Sequence, residues 1–276
     1  MIDPLEVRDL SRTEDFLKVR VLTESQTEHL VLAREVVLIS GGNSGIGLGM
    51  VHALLKRGFR VAVLDSSREN LISLQVCFSN LLVLRCDITD SEELKTALDL
   101  IVRKWGRIDV LVNIIPDPES YTTSNPSLER TRECMERGFF LPLKILLEVL
   151  PQMQKQQKGI VHNVISPMAL VGLKGSFPYC ALSGALEAMS RSLAMDTKRD
   201  GVDINIMLKS VLPSKKKGKD MLEGKVGESL AREILTIKPV ISPDFATSLF
   251  AFFARRFPYF MGRISSWLIR SGLIEP

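Results

Sequence analysis

The sequence predicts an α/β protein, a doubly wound Rossmann-type three-layer α/β/α sandwich built on a parallel sheet. Two observations carry this prediction. Short apolar runs, typical of buried parallel strands, alternate with stretches of helical periodicity along most of the chain. A glycine-rich turn joins the first of these strands to the first helix. Because alternating strands and helices at this spacing need right-handed crossovers, we expect helices on both faces of the sheet.

The first half of the pattern begins with a strand at Val36–Ile39, where an apolar run ends in Ser-Gly-Gly. A helix is expected from Gly45 to Arg57, since apolar residues recur on one side and Gly58 is a natural stop. Asp90 opens a further helix that runs to about Lys104, with acidic residues in its first turn. Strands are predicted at Arg60–Leu64, Leu81–Arg85 and Ile108–Val112.

The second half continues the alternation. A long helix is predicted from about Leu128 to Gln154, disturbed at Pro142 because proline has no backbone N–H. Another helix is expected over about Phe177–Arg199, and strands are predicted at Gly159–Ile165 and Val202–Leu208. Because no composition break follows residue 35, we predict an N-terminal extension, 1–35, and a single Rossmann-type dinucleotide-binding domain, 36–276.

The composition is that of a globular protein, with 276 residues, 45% of them apolar and 25% charged. A net charge of +4 is too small to indicate nucleic-acid binding on its own, but it is unevenly placed. Residues 1–35 hold eight acidic and five basic side chains, so the extension carries −3 and the rest of the chain +7. Much of that excess lies in Lys215–Lys219 and in the arginines beyond residue 250.

The same composition limits the compartment and the chemistry. Four cysteines without metal-ligand spacing, and three histidines without a pattern, predict neither a metal site nor a disulfide scaffold. No stretch approaches the ~20 apolar residues of a membrane span, and the N-terminus shows no basic region followed by an apolar run. We therefore expect an intracellular, cytoplasmic protein.

A nucleotide site is predicted at the glycine-rich turn. Glycine lets backbone N–H groups approach a pyrophosphate, and the helix N-terminus adds partial positive charge. The residues expected to form this site are Ser40, Gly41, Asn43, Ser44, Gly45, Ile46 and Gly47. A loop that merely needs glycine is the alternative, and the position between a strand and a helix argues against it.

Polar residues at the ends of the next strands extend this predicted site. Asp65 closes the second strand, where a carboxylate accepts ribose hydroxyls and repels a 2′-phosphate, so we predict NAD(H) in preference to NADP(H). Arg68 weakens that choice, because an arginine can pair with a 2′-phosphate. Asp87 and Ile88 are expected near the adenine, although a solvated or helix-capping acid is the alternative for Asp87. Asn113 is expected near the ribose.

With these motifs the chain resembles the short-chain dehydrogenase/reductase family over about residues 36–264. The glycine turn matches the family's Thr-Gly-x-x-x-Gly-Ile-Gly apart from Ser40, and Cys86-Asp87-Ile88-Thr89 matches a second family segment. Ser166 follows a matching strand, and Tyr179 lies 13 residues later, the family's usual spacing. Ala246 and Gly262 keep the spacing of the family's last helix and last strand.

The resemblance implies a reaction and a set of roles. Members of the family transfer hydride reversibly between a nicotinamide and an alcohol or ketone carbon. By this resemblance Ser166 holds the substrate oxygen and Tyr179 exchanges its proton, while a lysine four residues later lowers the pKa of the tyrosine. An asparagine on the preceding long helix completes a proton relay, and Ser214 stands in for a threonine that touches the nicotinamide. The resemblance also implies a small apolar alcohol or ketone as substrate, and a homodimer or homotetramer.

The sequence departs from the family at the catalytic half of the site. Ser183 occupies the lysine position, and serine has no charge to bring a tyrosine pKa from about 10 toward 7, a difference of ~4 kcal/mol. Ile114-Ile115-Pro116 replaces Asn-Ala-Gly, and the helix asparagine position falls near Gly138. Lys209-Ser210 replaces Pro-Gly after the sixth strand. Lys174 and Lys209 are candidates for a substitute cation.

Three functions are consistent with this pattern. The first is an NAD(H)-binding or regulatory protein on a dehydrogenase fold, with impaired or absent catalysis. The second is an active NAD-dependent oxidoreductase that uses Ser166 and Tyr179 with a cation from elsewhere in the chain. The third is a ligand-free dimeric scaffold built on the long helix and the Tyr179 helix. We predict the first, because Ser183 and the missing asparagine remove two catalytic groups at once.

Two late segments are basic or aromatic. Residues 213–226 fall where the family carries its mobile substrate loop, and their lysines are either solvated or attract an acidic partner. Residues 245–269 are rich in Phe, Trp, Leu and Ile, interleaved with arginines. The resemblance makes this segment a subunit interface, and a peripheral membrane contact is the alternative. Nucleic acid is not an expected partner, because the aromatics lack a motif context.

Overall fold

A parallel sheet organises the chain. The computed structural model describes residues 35–43, 45–116, 127–172, 175–210 and 219–270. Within these residues the sheet has seven strands in the order β3-β2-β1-β4-β5-β6-β7, and every neighbouring pair is parallel. The strands are β1 Val36–Ser40, β2 Arg60–Asp65, β3 Leu81–Arg85, β4 Val110–Ile114, β5 Gly159–Ile165, β6 Val202–Leu208 and β7 Val240–Ile241. The predicted doubly wound α/β fold is confirmed.

Helices connect the strands and cover the sheet. Those in the described residues are α1 Gly45–Lys56, α2 Ile72–Cys77, α3 Ser91–Trp105, α4 Leu128–Met135, α5 Leu141–Gln156, α6 Phe177–Thr197, α7 Lys219–Arg232, α8 Phe245–Arg256 and α9 Pro258–Arg270. A π-helical segment, Glu136–Phe140, joins α4 to α5. The predicted disturbance of the long helix therefore occurs in the turn just before Pro142.

The apolar core lies on both faces of the sheet. Strand β1 shows why, since its side chains alternate between the two faces. Val37 and Ile39 belong to the cluster packed against α1 and α7. Val36 and Leu38 belong to the cluster packed against α3 and α5. Because all four are fully buried, the strand reads as a continuous apolar run rather than as alternating apolar and polar residues.

The strand order creates a crevice at one edge of the sheet. Strand β1 pairs with β2 on one side and with β4 on the other, so the direction of winding reverses between them. Ligands of open α/β sheets bind outside the carboxyl ends of the strands at such a reversal. The predicted glycine turn and Asn113 both lie at this edge.

Three sequence expectations need correction. Strand β4 begins at Val110, two residues later than predicted, because Asp109 is turned inward to accept the Val36 N–H at 2.9 Å. Part of the expected substrate loop is helical, since α7 begins at Lys219. The last strand expected near Gly262 is wrong, because that residue lies in α9. A Cβ there would lie 2.7 Å from the Val171 carbonyl oxygen, so helix packing accounts for this glycine.

Several expected features lie outside the described residues. They are most of the extension 1–35, the cofactor candidates Ser44 and Ser214, and the cation candidate Lys174.

Candidate functional site

The glycine turn between β1 and α1 is tight enough to need its glycines. Gly41 has a φ of +83°, which L side chains rarely adopt, and its N–H donates to the Leu64 carbonyl at 3.1 Å. A Cβ on Gly47 would lie 2.9 Å from the Cα of Gly42 and 2.9 Å from Cδ1 of Ile114. The tight turn expected between β1 and α1 is therefore present, and Ile114, at the position of an asparagine in the family pattern, packs directly against it.

Asp65 at the end of β2 is held by backbone donors. The Asn43 N–H donates to its Oδ2 at 3.2 Å, and the Ser67 N–H donates to its Oδ1 at 3.1 Å. Asn43 is in turn paired with Asn70, whose backbone N–H donates to the Asn43 Oδ1 at 3.1 Å. Since each carboxylate oxygen keeps a second lone pair, Asp65 can still accept a hydroxyl.

An open cleft of about 820 Å³ lies at the carboxyl edge of β1, β2 and β3. Of the predicted cofactor residues it is lined by Ser40, Gly41, Asp65, Asp87 and Ile88. Sequence reasoning missed two basic residues in its lining, Arg85 and Arg137. Arg85 is the register partner of Asp65 across β2 and β3, so a cation stands beside the carboxylate that was expected to exclude phosphate.

The loop after β3 is fixed in place by Asp87, Thr89 and Lys144. The Thr89 hydroxyl and N–H both donate to Asp87 Oδ1, at 2.7 and 2.9 Å, and these bonds lower the pKa of the Asp87 carboxyl. The Lys144 ammonium donates to the Ile88 and Thr89 carbonyls at 2.9 and 2.8 Å. Asp90, not Asp87, caps helix α3. Asp87 is therefore an ionised acceptor at the mouth of the cleft.

Asn113 lies in the interior rather than among the residues that line the cleft. It is 1% exposed, and its Nδ2 donates to the Asn163 Oδ1 at 3.0 Å. The Asn163 amide donates onward to the Ser190 hydroxyl at 2.9 Å. This chain joins β4, β5 and α6, so Asn113 orders the sheet edge on which the site is built.

The structure brings Ser166 and Tyr179 together, as their spacing predicts. Ser166 follows β5, Tyr179 lies in the first turn of α6, and the Ser166 N–H donates to the Tyr179 hydroxyl oxygen at 2.9 Å. The Tyr179 side chain is fully buried, within an apolar cluster that includes Ile115 and Leu182. In this structure a substrate can reach the tyrosine hydroxyl only after local rearrangement.

The resemblance assigns a lysine and an asparagine to the positions of Ser183 and Gly138. In the structure both positions are enclosed by neighbouring side chains. Ser183 is 1% exposed, and its hydroxyl has no hydrogen-bond partner within the described ranges. Gly138 lies in the π-helical segment, where a Cβ would be 2.7 Å from Cδ2 of Leu182. Leu182 thus occupies the space that an asparagine side chain would need. Sequence spacing located both positions, but no local signal identified Leu182 as the residue that fills one of them.

Lys209 supplies a buried cation at the same edge of the sheet. It follows β6, is 7% exposed, and its ammonium donates to the Ile115 carbonyl at 2.7 Å. Its N–H donates to the Ile165 carbonyl at 2.8 Å, which fixes the backbone beside the end of β5. Ile115 and Tyr179 belong to one apolar cluster, so Lys209 bonds to the carbonyl of a residue packed with the tyrosine.

Glu223 is an acidic residue at the glycine turn that sequence reasoning missed. Its carboxylate lies in the space that a Cβ on Gly45 would take, at the N-terminus of α1. Helix α7 can come this close because Gly49 has no side chain. A Cβ on Gly49 would lie 2.5 Å from the Gly224 carbonyl oxygen. A carboxylate therefore stands where the sequence predicts a pyrophosphate. The glycines of both helices were the available signal, but the contact between them is long-range.

The buried histidine and cysteines are not poised for acid–base or nucleophilic chemistry. Burial lowers the pKa of His162 to about 4, although its Nε2 donates to the Ile234 carbonyl at 2.9 Å. Burial raises the pKa of the Cys134 thiol to about 12, and Cys180 adds to the effect. His162 is therefore neutral and Cys134 a protonated thiol at neutral pH. No cluster of three or more metal-ligating side chains occurs in the described part of the chain.

A doubly wound parallel sheet, with a glycine turn at its reversal point and a carboxylate at the end of β2, defines a dinucleotide-binding α/β protein. The comparison with protein families makes this more specific. The family model for short chain dehydrogenases matches residues 35–218, and the chain belongs to that family.

Known proteins of this family resemble the chain at moderate identity. L-fucose dehydrogenase of Bos taurus is 29% identical over 174 residues, which are 63% of this chain and 64% of that protein. The match thus spans less than two thirds of the curated relative's length. A short-chain dehydrogenase from Streptomyces avermitilis superposes with a TM-score of 0.67 at 20% identity, covering 86% of this chain and 98% of that one. ElxO with NADP bound superposes with a TM-score of 0.65 at 22% identity, covering 78% and 99%. At these identities the superpositions show the fold.

Proposed function

We propose that this chain is an NAD(H)-binding member of the short-chain dehydrogenase family in which hydride transfer is impaired or absent. The observation that carries the proposal is the buried, uncharged Ser183 at the position of the expected lysine. In this family a bound nicotinamide accepts or donates the hydride. The rest of the chemistry belongs to side chains, and several of them are replaced here.

The adenosine half of the site fits the cofactor. The cleft is open, Ser40 and Gly41 of the glycine turn line it, and Asp65 keeps lone pairs for ribose hydroxyls. The Glu223 carboxylate at the N-terminus of α1 opposes a phosphate there and is expected to weaken binding without abolishing it. Ser40 and Gly41 would lie beside the phosphates, and Asp87 and Ile88 beside the adenine. These residues supply binding and orientation but no proton transfer.

The catalytic half lacks the means to activate Tyr179. A tyrosine with an unperturbed pKa near 10 has a tyrosinate population near neutral pH that is ~1000-fold below that of a group with a pKa of 7. Ser183 carries no charge, and its hydroxyl is not hydrogen-bonded within the described ranges. The Tyr179 hydroxyl instead accepts the Ser166 N–H, which fixes the chain after β5. Ser166 and Tyr179 therefore act mainly as structural residues, which hold the chain after β5 against α6.

Binding and turnover are measured separately to test this proposal. Isothermal titration should give saturable NADH binding in the micromolar range, weaker for NADPH. With a panel of apolar alcohols and ketones, turnover should fall well below the 1–10³ s⁻¹ of ordinary enzymes. Ordinary turnover that vanishes in Tyr179→Phe would contradict the proposal, and so would an absence of binding.

The preference for NAD(H) depends on the balance between Asp65 and its neighbours. Asp65 favours a free ribose hydroxyl, whereas Arg85 beside it can neutralise a 2′-phosphate. Among the structural neighbours, ElxO is solved with NADP bound and the reductase A1-R' with NAD, so membership of the family does not decide between the two cofactors. Asp65→Ser should weaken NADH binding and strengthen NADPH binding, while Asp99→Ser on the exposed face of α3 should change neither. Unchanged preference in Asp65→Ser would remove the NAD assignment.

A second candidate function, an active NAD-dependent alcohol or ketone oxidoreductase, is favoured by Lys209. Its buried ammonium lies at the same edge of the sheet as Ser166 and Tyr179 and supplies the kind of charge that Ser183 lacks. If it acts in this way, Lys209→Met should abolish turnover and leave NADH affinity within about twofold. If Lys209 only ties β6 to Ile115, the change should lower the melting temperature without altering the pH profile of any residual activity.

A ligand-free dimeric scaffold is the third possibility raised by the sequence. The open cleft beside Asp65 argues against it, because a scaffold has no need for an intact adenosine site. Micromolar NADH binding would exclude it directly.

A further inference from the structure

Helices α8 and α9 carry an exposed aromatic–basic face. Its apolar members are Phe245, Leu249, Phe252, Phe253, Phe257, Tyr259, Phe260 and Trp267, between 40% and 91% exposed. Residues 245–270 hold six of the chain's 12 phenylalanines and one of its two tryptophans in less than a tenth of its length. Scattered exposed apolar residues are ordinary on protein surfaces, but eight large ones on two adjoining helices, with Phe252, Phe253 and Phe257 in ring contact, indicate a partner.

The two helices pack on the fold through their small residues. On α8 the buried positions are Thr247, Ala251 and Ala254. On α9 Ser265 is buried, and the half-buried Gly262 lies so close to the fold that a Cβ on it would be 2.7 Å from the Val171 carbonyl oxygen. This reverses the usual arrangement, in which a helix buries its large apolar side chains. The core therefore does not account for the aromatic residues.

The charged side chains of residues 245–270 are all positive. Residues 245–270 contain four arginines, Arg255, Arg256, Arg263 and Arg270, and no Asp or Glu. Arg255 pairs with Glu187 of α6 at 2.7 Å, which ties α8 to the fold. Arg256 is exposed and lies with its guanidinium carbon 5.3 Å from the centre of the Phe257 ring, and Arg263 is exposed on α9. Cationic groups thus stand directly beside the aromatic ones.

We propose that this face docks the protein on an anionic phospholipid surface. Amphipathic rings beside arginines suit the boundary between headgroups and acyl chains. Anionic headgroups also complement the arginines. A second copy of the chain fits the face less well, because arginines would meet arginines without an acidic partner. No described helix is long and apolar enough to cross a membrane, so the contact proposed is along the surface.

Docking would bring the catalytic half of the site close to the lipid. Helix α8 contacts the short 3₁₀ helix Pro167–Leu170, which directly follows Ser166. Helix α9 contacts Val171 at the end of the same segment. The adenosine cleft lies at the carboxyl ends of β1 to β3 and extends to Ile114 at the end of β4. The proposal stands independently of catalysis, since it concerns only the surface of α8 and α9.

Trp267 provides a direct probe of docking. It is 61% exposed, and the chain's other tryptophan is Trp105, so Trp105→Phe leaves a single reporter on the face. Vesicles of phosphatidylcholine with about one third phosphatidylserine should shift the Trp267 emission to shorter wavelength. Brominated acyl chains should quench it. Pure phosphatidylcholine vesicles should bind the full-length protein at least tenfold more weakly.

Matched variants separate the aromatic contribution from the basic one. Phe252→Ala with Phe260→Ala, at residues 64% and 65% exposed, should weaken partitioning onto the anionic vesicles at least tenfold. Phe140→Ala, at a residue 50% exposed on another face, is the control and should change partitioning by less than twofold. Arg256→Gln with Arg263→Gln should abolish the preference for phosphatidylserine, while Arg132→Gln with Arg199→Gln should leave it intact.

Two results would overturn the proposal. One is the absence of vesicle binding, or of any Trp267 shift, at millimolar lipid. The other is self-association in sedimentation that Phe252→Ala with Phe260→Ala abolishes, together with vesicle binding equal to that of the Phe140→Ala control. In that case the face is an interface between copies of the chain. The side chains replaced on the face and in its controls are exposed, whereas Trp105 is half-buried, so unchanged melting temperatures should confirm that every variant folds.

Discussion

Ser183 is the residue at which the chain departs most clearly from its family's chemistry. It is buried beside Leu182 on α6, four residues after Tyr179 and therefore on the same side of the helix. A lysine there would place its charge toward the tyrosine, whereas serine contributes only a small polar group. By the family resemblance, the chain keeps the tyrosine assigned to proton exchange and lacks the lysine assigned to adjust its pKa.

Restoring that charge should restore activity. Ser183→Lys should raise turnover at least tenfold above the wild-type level, because a nearby ammonium lowers the pKa of a tyrosine hydroxyl. The measurement is the steady-state rate with NADH and the best substrate of the panel. Ser192→Lys on the exposed side of α6 should have no effect. A folded Ser183→Lys protein that binds NADH and remains as inactive as the wild type would show that the missing lysine is not the limiting defect.

Glu223 should weaken binding of the dinucleotide. Its carboxylate lies at the N-terminus of α1, where a phosphate would otherwise gain from the helix dipole. Glu223→Gln should lower the dissociation constant for NADH about tenfold, since two like charges at this range repel by on the order of 1–3 kcal/mol. Titration of Glu228→Gln, which removes the same charge from the exposed side of α7, is the matched comparison. Equal affinities in the two variants would mean that Glu223 does not face the phosphates.

His162 makes the stability of the fold depend on pH. Burial lowers its folded-state pKa to about 4 from an ordinary value near 6.5. Between these values the unfolded chain binds a proton that the folded chain excludes. The stability contributed by the neutral histidine is therefore present above pH 6.5 and is lost as pH falls toward 4.

Urea unfolding measures this effect. Between pH 7 and pH 4.5 the wild type should lose about 2–3 kcal/mol more than His162→Gln, whose amide can still donate to the Ile234 carbonyl. His52→Gln on α1 controls for the loss of a histidine as such. If the wild type and His162→Gln show the same pH dependence, the folded state of His162 must accept a proton more readily than its burial indicates.

At the scale of elements, the closest contact is between α1 and α7. Glycines make it possible, since the backbone of Gly224 lies where a Cβ on Gly49 would be. Arg57 at the far end of α1 donates to the Ala231 carbonyl at 2.5 Å and joins the ends of the two helices. Because α1 carries the glycine turn and α7 carries Glu223, this contact fixes the carboxylate at the cradle.

Two glycine-to-alanine substitutions test the contact between α1 and α7. They add the same methyl group, but only the one on Gly49 would point into the other helix. Gly49→Ala should destabilise the fold by about 2 kcal/mol, because its Cβ would be 2.5 Å from the Gly224 carbonyl oxygen and neither backbone can move freely. Gly224→Ala meets nothing within 4 Å and should be neutral or stabilising by up to ~1 kcal/mol through helix propensity. Urea unfolding compares the two. Equal effects would mean that the helices are not packed at this distance.

The sequence predicts elements well where the signal is local. Strands β3, β5 and β6 have the predicted bounds, since each is an apolar run with turn residues at its ends. The glycine turn and the pairing of Ser166 with Tyr179 follow from spacing. Local patterns miss what depends on distant contacts. Leu182 against Gly138, Glu223 against Gly45 and the buried Lys209 all join segments far apart in the chain. Helix α9 was mistaken for a strand because Gly262 matched a family spacing.

At the scale of the whole molecule, the candidate site divides into two halves that differ in solvent exposure: one is an open cleft and the other is buried. The half proposed to bind adenosine, at the carboxyl ends of β1 to β3, has an open cleft lined by Asp65 and Asp87. In the half that the resemblance assigns to catalysis, Tyr179, Ser183 and Lys209 are all buried. Part of the positive charge of residues 36–276 lies at the open cleft, on Arg85 and Arg137, and part lies on the aromatic–basic face of α8 and α9.

A single-turnover experiment tests this division most directly. Protein saturated with NADH, as defined by titration, is mixed with excess ketone, and oxidation of the bound NADH is followed by its absorbance. The account predicts that NADH binds saturably and is then oxidised at a rate that is negligible in the wild type and unchanged in Tyr179→Phe. Rapid oxidation in the wild type that disappears in Tyr179→Phe would contradict it, because Tyr179 would then be an active acid despite Ser183.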